Sequence, residues 1–290
     1  MRRVALWLTC ITFVAIALPA RAEAFKVVAS FSILGDLVRN VGGGGVSVTT
    51  LVGPDSDAHV YSPTPGDAKK IADAKLIVVN GLGFEGWLPR LLRSSGSKAK
   101  IVTATDGIAP LRLGSAADPH AWQSVGNVKT YVANIRDALS LADPANTGQY
   151  RANADAYLAK LDALDREVRE AIAKLPPARR KVISTHSAFG YFAASYGIEF
   201  IAPLGVSTES EPSARDIAKI ITQIRQAKIP AVFLENVTDP RLMQRISAET
   251  GAKVGGTLYS DGLTGEKGDA PTYIEMVRHN IKALTRALGD

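Results

Sequence analysis

The chain has 290 residues, 46% hydrophobic and 21% charged, a balance that excludes intrinsic disorder and leaves room for one large domain or two lobes, each with a core. The formal net charge of +6 is inflated by the N-terminus: loss of Arg2, Arg3 and Arg21 with a cleaved leader takes 34 basic residues to 31 against 28 acidic, a net +3. No basic stripe then remains that would suit nucleic acid.

Arg2 and Arg3 precede an almost uninterrupted apolar run from Val4 to Leu18, and Ala20-Arg21-Ala22 follows as a small-x-small cleavage site, with Ala22-Glu23-Ala24 just beyond. This predicts a secretory signal peptide over residues 1–22. The apolar run falls short of the ~20 residues a membrane helix needs, and no later segment is long enough to span. The single cysteine, Cys10, leaves with the leader, and Thr9 is a poor neighbour for a lipidated cysteine. The mature chain then needs no disulfide, and any transition-metal site must be built from histidine and carboxylate.

From Phe25 onward short apolar runs alternate with helical stretches. Lys26–Ser30 reads as a strand, Ile33–Val41 as a helix ending at Gly42–Gly45, and Val46–Val52 as a second strand. Thr64-Pro65 opens a helix through Ala74, with proline at the first helical position. Leu76–Asn80 is a third strand, Phe84–Leu92 a short helix and Ile101–Ala104 a fourth strand. This alternation predicts parallel sheet with right-handed crossovers.

Val125–Leu141 is helical, and a long amphipathic segment over 146–175 places Tyr150, Ala154, Tyr157, Leu161, Leu164, Val168, Ile172 and Leu175 at steps of three and four. Thirty helical residues would span ~45 Å and join two halves as a stiff strut. The alternation then resumes: strands at Lys181–Ser184, Glu199–Ala202, Ala231–Leu234 and Lys253–Leu258, and helices at Phe189–Tyr196, Ser213–Gln226, from Asp239-Pro240 to Thr250, and Thr272–Leu288. The expected architecture is α/β: two lobes, 23–145 and 176–290, each a mostly parallel sheet flanked by helices, joined by one long rigid helix at 146–175.

The chain holds four histidines. His59, His120 and His186 each follow a strand-like or turn-like segment, and Asp261 sits in a similar place after the last strand. In open α/β sheets ligands bind beyond the carboxyl ends of strands. Two residues from each lobe would meet in the cleft between them. Three neutral imidazoles and one carboxylate suit Zn²⁺, with bonds of ~2.0–2.2 Å, while Mn²⁺ and Fe²⁺ fit the same donors. Four protein ligands with no open position describe a holding site rather than a catalytic one. His279, inside the last helix, reads as a packing or surface residue, and Glu209 and Glu211 as a solvated loop cluster. Glu235, ending a buried strand, is placed to orient a ligand histidine.

Gly81-Leu-Gly83-Phe-Glu-Gly86 fits G-x-G-x-x-G, with Asp106 further on as a dinucleotide fingerprint requires. Glu85 would stand beside the pyrophosphate, Pro89 interrupts the helix that should receive it, and the unit is the third strand rather than the first, so the motif reads as a tight turn. No Gly-x-Ser-x-Gly elbow exists.

The segments His59-Val-Tyr-Ser-Pro-Thr-Pro, Gly81-Leu-Gly-Phe-Glu-Gly-Trp-Leu88, Asp118-Pro-His-Ala-Trp122, the run at 156–165, His186-Ser-Ala-Phe-Gly-Tyr-Phe192 and Leu258-Tyr-Ser-Asp-Gly-Leu263 together resemble the periplasmic solute-binding proteins of zinc/manganese ABC importers, the cluster A-I (ZnuA/TroA-like) family. The likeness covers nearly all of the mature chain. It implies metal ligands at His59, His120, His186 and Asp261, a periplasmic monomer, no enzymatic activity, and an inner-membrane ABC permease as partner. Zinc-type members tend to carry histidine at the third ligand position and manganese-type members glutamate, so His186 implies zinc. The His-rich loop of many zinc-type members has no counterpart in 106–119, which contains no histidine before the ligand. The competing classes are an exported zinc hydrolase with Asp261 as general base and an adhesin-like surface protein.

Overall fold

The computed structural model describes residues 24–289; the leader expected over 1–22, with Cys10, lies outside them. The first lobe is built from β1 (Phe25–Phe31), α1 (Ser32–Gly42), β2 (Val46–Val52), α2 (Pro65–Asp73), β3 (Leu76–Val79), α3 (Leu88–Ser95) and β4 (Lys100–Thr103), followed by a hairpin of β5 (Arg112–Leu113) and β6 (Ala116–Ala117), then α4 (Val125–Ala142). Helix α5 (Thr147–Ala173) leads to the second lobe: β7 (Lys181–Ile183), α6 (Gly190–Tyr196), β8 (Glu199–Ile201), α7 (Ala214–Ala227), β9 (Ala231–Glu235), α8 (Arg241–Thr250), β10 (Lys253–Leu258) and α9 (Tyr273–Gly289). The α/β architecture of two helix-flanked sheets and one long helix is the one expected.

Both four-stranded sheets are wholly parallel, ordered β2-β1-β3-β4 and β10-β9-β7-β8. Numbered from the first strand of its own lobe, each sheet has the same order, 2-1-3-4, so the lobes repeat one topology. In each, chain direction across the sheet reverses between the first and third strands, the switch point at which open α/β sheets take ligands. Strand β3 is a continuous apolar run and β1 is buried from Val27 to Phe31, because helices cover both faces. On the outer faces, α2 and α3 close one small core around Ile71, Ile77 and Leu91, and α7 and α8 close another around Ile183, Ile224 and Ile246.

The inner faces share one core. A single cluster of buried side chains runs from Val27 and Leu37 through Tyr131, Leu161 and Leu164 to Leu258 and Met276. Helix α5 is 27 residues long, about 40 Å at 1.5 Å per residue. Its buried stripe is Tyr150, Ala154, Tyr157, Leu161, Leu164, Val168 and Ile172, as the periodicity predicts, and it packs against α1 and α4 on one side and α6 and α9 on the other. The lobes are therefore welded through α5 rather than hung from a linker.

Two local expectations are corrected. The helix expected over Phe84–Leu92 begins only at Leu88, because the Glu85 carboxylate accepts the Asn80 N–H at 2.6 Å and the Gly81 N–H at 3.1 Å and holds 81–86 in turns. Pro89 then falls in the first helical turn, where its missing N–H costs nothing, instead of interrupting a helix. The β5–β6 hairpin was not expected; strands of two residues leave no periodicity to read. Helix α2 starts as predicted, with Thr64 and Asp67 forming a reciprocal capping box.

Candidate metal centre

His59 lies in the loop from β2 to α2, His120 just before a single 3₁₀ turn (Ala121–Gln123) that leads into α4, His186 in the loop after β7, and Asp261 in the loop after β10. All four loops leave the carboxyl ends of strands or the hairpin beyond β4. The four side chains are buried and each offers an atom within 4.8 Å of the others. His59 Nε2 is 3.2 Å from His120 Nε2, which is 3.4 Å from His186 Nε2. Asp261 Oδ2 stands 3.5 Å from His59 Nε2 and 3.1 Å from His186 Nε2, and Oδ1 stands 3.5 Å from His120 Nε2. A regular tetrahedron with bonds of ~2.0–2.2 Å has edges of about 3.3–3.6 Å between donors, close to these five spacings, and all four donors lie within 4.8 Å of one another.

The tautomers point the same way. His120 Nδ1 lies 2.7 Å from Asp118 Oδ1, and His186 Nδ1 lies 2.5 Å from Glu235 Oε2. Each Nδ1 carries the proton it donates to its carboxylate, which leaves Nε2 with a bare lone pair in the neutral ring. Two bare nitrogens and a carboxylate facing one another repel, and neither Asp261 oxygen accepts an aligned hydrogen bond although the residue is fully buried. Such an arrangement demands positive charge at its centre, from a proton or a metal ion.

The electrostatics match. Burial alone would raise the Asp261 pKa, but the His186 and His120 rings hold it well below the usual carboxylate range. Burial alone would lower His186, but the carboxylates of Glu235 and Asp261 outweigh it and hold the ring well above its ordinary value. For His120 burial wins over Asp261 and Asp118, and its pKa is lowered. A ring must be neutral to coordinate, so a cation arriving here competes with protons for these nitrogens.

The second layer is built from residues whose role sequence reading missed. Asp118 and Asp57 each stand two positions before a site histidine, and each accepts that histidine's backbone N–H, at 2.9 and 2.8 Å. The recurring Asp-x-His was the available signal, since an aspartate bonding two residues on makes a local turn. Beside Asp118 the backbone of α6 comes close: a Cβ at Gly190 would lie 2.5 Å from Asp118 Oδ2. Trp122 Nε1–H and Gln123 Nε2–H both donate to Ser260 O, at 2.8 and 2.7 Å, tying the residues after His120 to the residue before Asp261 across the cleft.

The G-x-G-x-x-G segment serves the same centre. Gly81 has φ +88°, and a Cβ there would lie 2.4 Å from Thr103 Cγ2. The turn delivers Phe84, whose ring meets His59 edge-on at 4.8 Å and Trp122 at 4.8 Å, walling the imidazoles from solvent. His279 is outside the cluster; its Nε2 lies 3.1 Å from Thr257 O and its ring packs on Tyr259 at 4.7 Å. Glu209 and Glu211 are exposed.

Sequence and structural comparisons place the chain among metal-binding proteins. The family described as zinc-uptake complex component A, periplasmic, matches residues 27–287. Among curated relatives, the chain is 36% identical over 273 residues to the iron-binding protein YfeA of Yersinia pestis, covering 93% of this chain and 88% of that one. It is 34% identical over 269 residues to the manganese-binding lipoprotein MntA of Halalkalibacterium halodurans, covering 92% and 90%. Among solved structures, the periplasmic zinc-binding protein TroA of Treponema pallidum superposes with a TM-score of 0.88 at 32% identity, over 92% of this chain and 99% of that one.

Proposed function

The chain belongs to the family of periplasmic zinc-uptake component A proteins, the metal-binding substrate-binding subunits of ABC importers, and from that premise we propose that it captures a single divalent cation, zinc by preference, between His59, His120, His186 and Asp261 and delivers it as a monomer to an inner-membrane permease. The observation that carries this reading is the convergence of three imidazole Nε2 atoms and one carboxylate at 3.1–3.5 Å spacings in a buried pocket, with two of the rings locked by carboxylates in the tautomer a metal requires. Three nitrogens and one carboxylate with no further protein donor suit tetrahedral zinc. The first lobe (23–145) supplies two donors, the second (176–290) two, and the strut (146–175) holds the halves so that binding needs little domain motion. The role is holding and release rather than chemistry, because every position around the cation is taken by the protein.

A second reading, manganese or iron in the same importer class, is supported by Asp261 turning one oxygen to His120 and the other to His59 and His186: engaging both would raise the coordination number and the oxygen share, which harder ions prefer. The names of the relatives, iron, manganese and zinc, support each reading equally. Competitive titration of metal-free protein with Zn²⁺ and Mn²⁺ against a chelator decides between them. His186→Ala is expected to lose zinc affinity by orders of magnitude with the fold intact by circular dichroism; wild-type affinity in that variant would overturn the assignment.

A further inference from the structure

The metal must reach a site in which His120, His186 and Asp261 are fully buried, while His59 alone retains 8% exposure. Passage therefore runs on the His59 side. There the two Asp-x-His turns diverge. Asp118 spends its carboxylate on the ring of its own histidine. Asp57 uses Oδ1 for the His59 N–H, and its Oδ2 accepts the Thr208 hydroxyl at 2.6 Å, from the opposite lobe.

Thr208 lies on the loop that follows β8. The same loop is pinned at its start to the His186 segment: Ser187 N–H donates to Gly205 O at 2.9 Å, Ser187 Oγ–H to Leu204 O at 3.1 Å, and Leu204 N–H to Thr185 O at 3.3 Å. Asp57 and Thr208 also line a cavity of about 460 Å³ that reaches Thr185, the residue before His186. Thr185 is 2% exposed and its Oγ1 has no hydrogen-bond partner among the described residues.

We propose that the Asp57–Thr208 hydrogen bond is a latch across the cleft, closing this cavity as the metal's passage, so that the two residues set the rate of metal exchange without being ligands. The inference rests on the metal-capture reading above. One bond joins the backbone of the most accessible ligand in one lobe to a loop anchored beside a ligand of the other. Breaking it frees the His59 turn and opens the passage together, while the donor set stays as it was. A welded core suits such a device: with α5 preventing wide hinge opening, exchange must proceed through local loop motion.

The test is stopped-flow release of Zn²⁺ to an excess of a strong chelator, with association rates and equilibrium affinity measured in parallel. Thr208→Val, nearly isosteric, is expected to speed release about tenfold (~1.4 kcal/mol off the opening barrier) and to speed association as well, so that affinity moves less than either rate. Thr208→Ser keeps the hydroxyl and is expected to restore the wild-type rate. Asp57→Ala removes the acceptor of the Thr208 hydroxyl together with that of the His59 N–H; it is expected to release metal at least as fast as Thr208→Val, and the double variant to be no faster than Asp57→Ala alone. Unchanged release in Thr208→Val, equal acceleration in Thr208→Ser, or additive effects in the double variant would each overturn the latch. If the wild type binds no metal, the capture reading falls and the latch with it; if it binds metal and Thr208→Val releases it at the wild-type rate, only the latch falls.

Discussion

Replacing Glu235 with glutamine leaves size and position unchanged but converts one carboxylate oxygen to an NH₂ group. Glu235 Oε1 accepts two backbone N–H groups, from Thr185 at 2.7 Å and His186 at 3.1 Å, while Oε2 accepts from His186 Nδ1 at 2.5 Å. A glutamine can satisfy only one of these sides. If its NH₂ faces the ring, Nδ1 must turn acceptor, the proton moves to Nε2 and the lone pair aimed at the metal is lost. If its NH₂ faces the backbone, two buried N–H groups lose their acceptor at ~1–3 kcal/mol each. The variant takes the less costly arrangement, and loss of a carboxylate behind a ligand histidine commonly lowers metal affinity 10–100-fold, or about 1.4–2.7 kcal/mol. The assay is equilibrium competition with a chelator at pH 7, with near-ultraviolet circular dichroism to confirm the fold. Affinity within threefold of wild type would refute the claim that Glu235 fixes the His186 tautomer.

Metal uptake should release a proton. The His186 pKa is raised by Glu235 and Asp261 against the effect of burial, so below that raised value the ring holds a proton the cation must displace. Apparent affinity is expected to fall as pH is lowered, by up to about tenfold per pH unit for each proton displaced; calorimetry in buffers of different ionisation enthalpy measures the number, and zero released protons at neutral pH would contradict the electrostatics. Asp67, at 1% exposure, accepts from the Thr64 N–H and hydroxyl, Tyr61 and Lys70. Burial opposes its ionisation, but these partners together hold its carboxyl well below the usual range. Because its folded pKa is depressed, its stabilisation is present above the unfolded value of ~3.9 and lost as pH falls through the folded one. Asp67→Asn should therefore flatten the acid limb of stability in urea unfolding between pH 7 and 3, and Thr64→Ala should cost about 0.5–2 kcal/mol at neutral pH. Leu161, fully buried on α5 in the core both lobes share, should cost about 2–5 kcal/mol when replaced by alanine. Calorimetry should still show one transition for both lobes, and two separate transitions would contradict a shared core.

The parts of the fold with long, uniform patterns were legible in the sequence. The α5 stripe from Tyr150 to Ile172 reads at steps of three and four because a long helix on a broad core must repeat. The Thr64-Pro65 start reads because capping is local chemistry. The start of α3 did not read, because what delays it to Leu88 is a hydrogen bond that the Asn80 N–H, just after β3, donates to the Glu85 carboxylate, a contact that helical periodicity does not reveal. For the candidate site, the three histidines were visible as rare side chains in loops, Asp261 by its place after the last strand, and Glu235 as the end of a buried strand.

The sequence by itself determined the donor types: a chain with four histidines and no cysteine after its first two dozen residues has no thiolate to offer, so a transition-metal site must rest on imidazole and carboxylate. Side-chain identity is fixed before folding, so this needed no coordinates. The tertiary structure alone decided which nitrogen of each ring faces inward, since that follows from where Asp118 and Glu235 stand. It alone showed that both lobes share one core through α5 and that Asp57 reaches Thr208, 151 positions away. Contacts between distant segments depend on how sheets and helices pack, and the linear pattern of any single element carries no record of its partner.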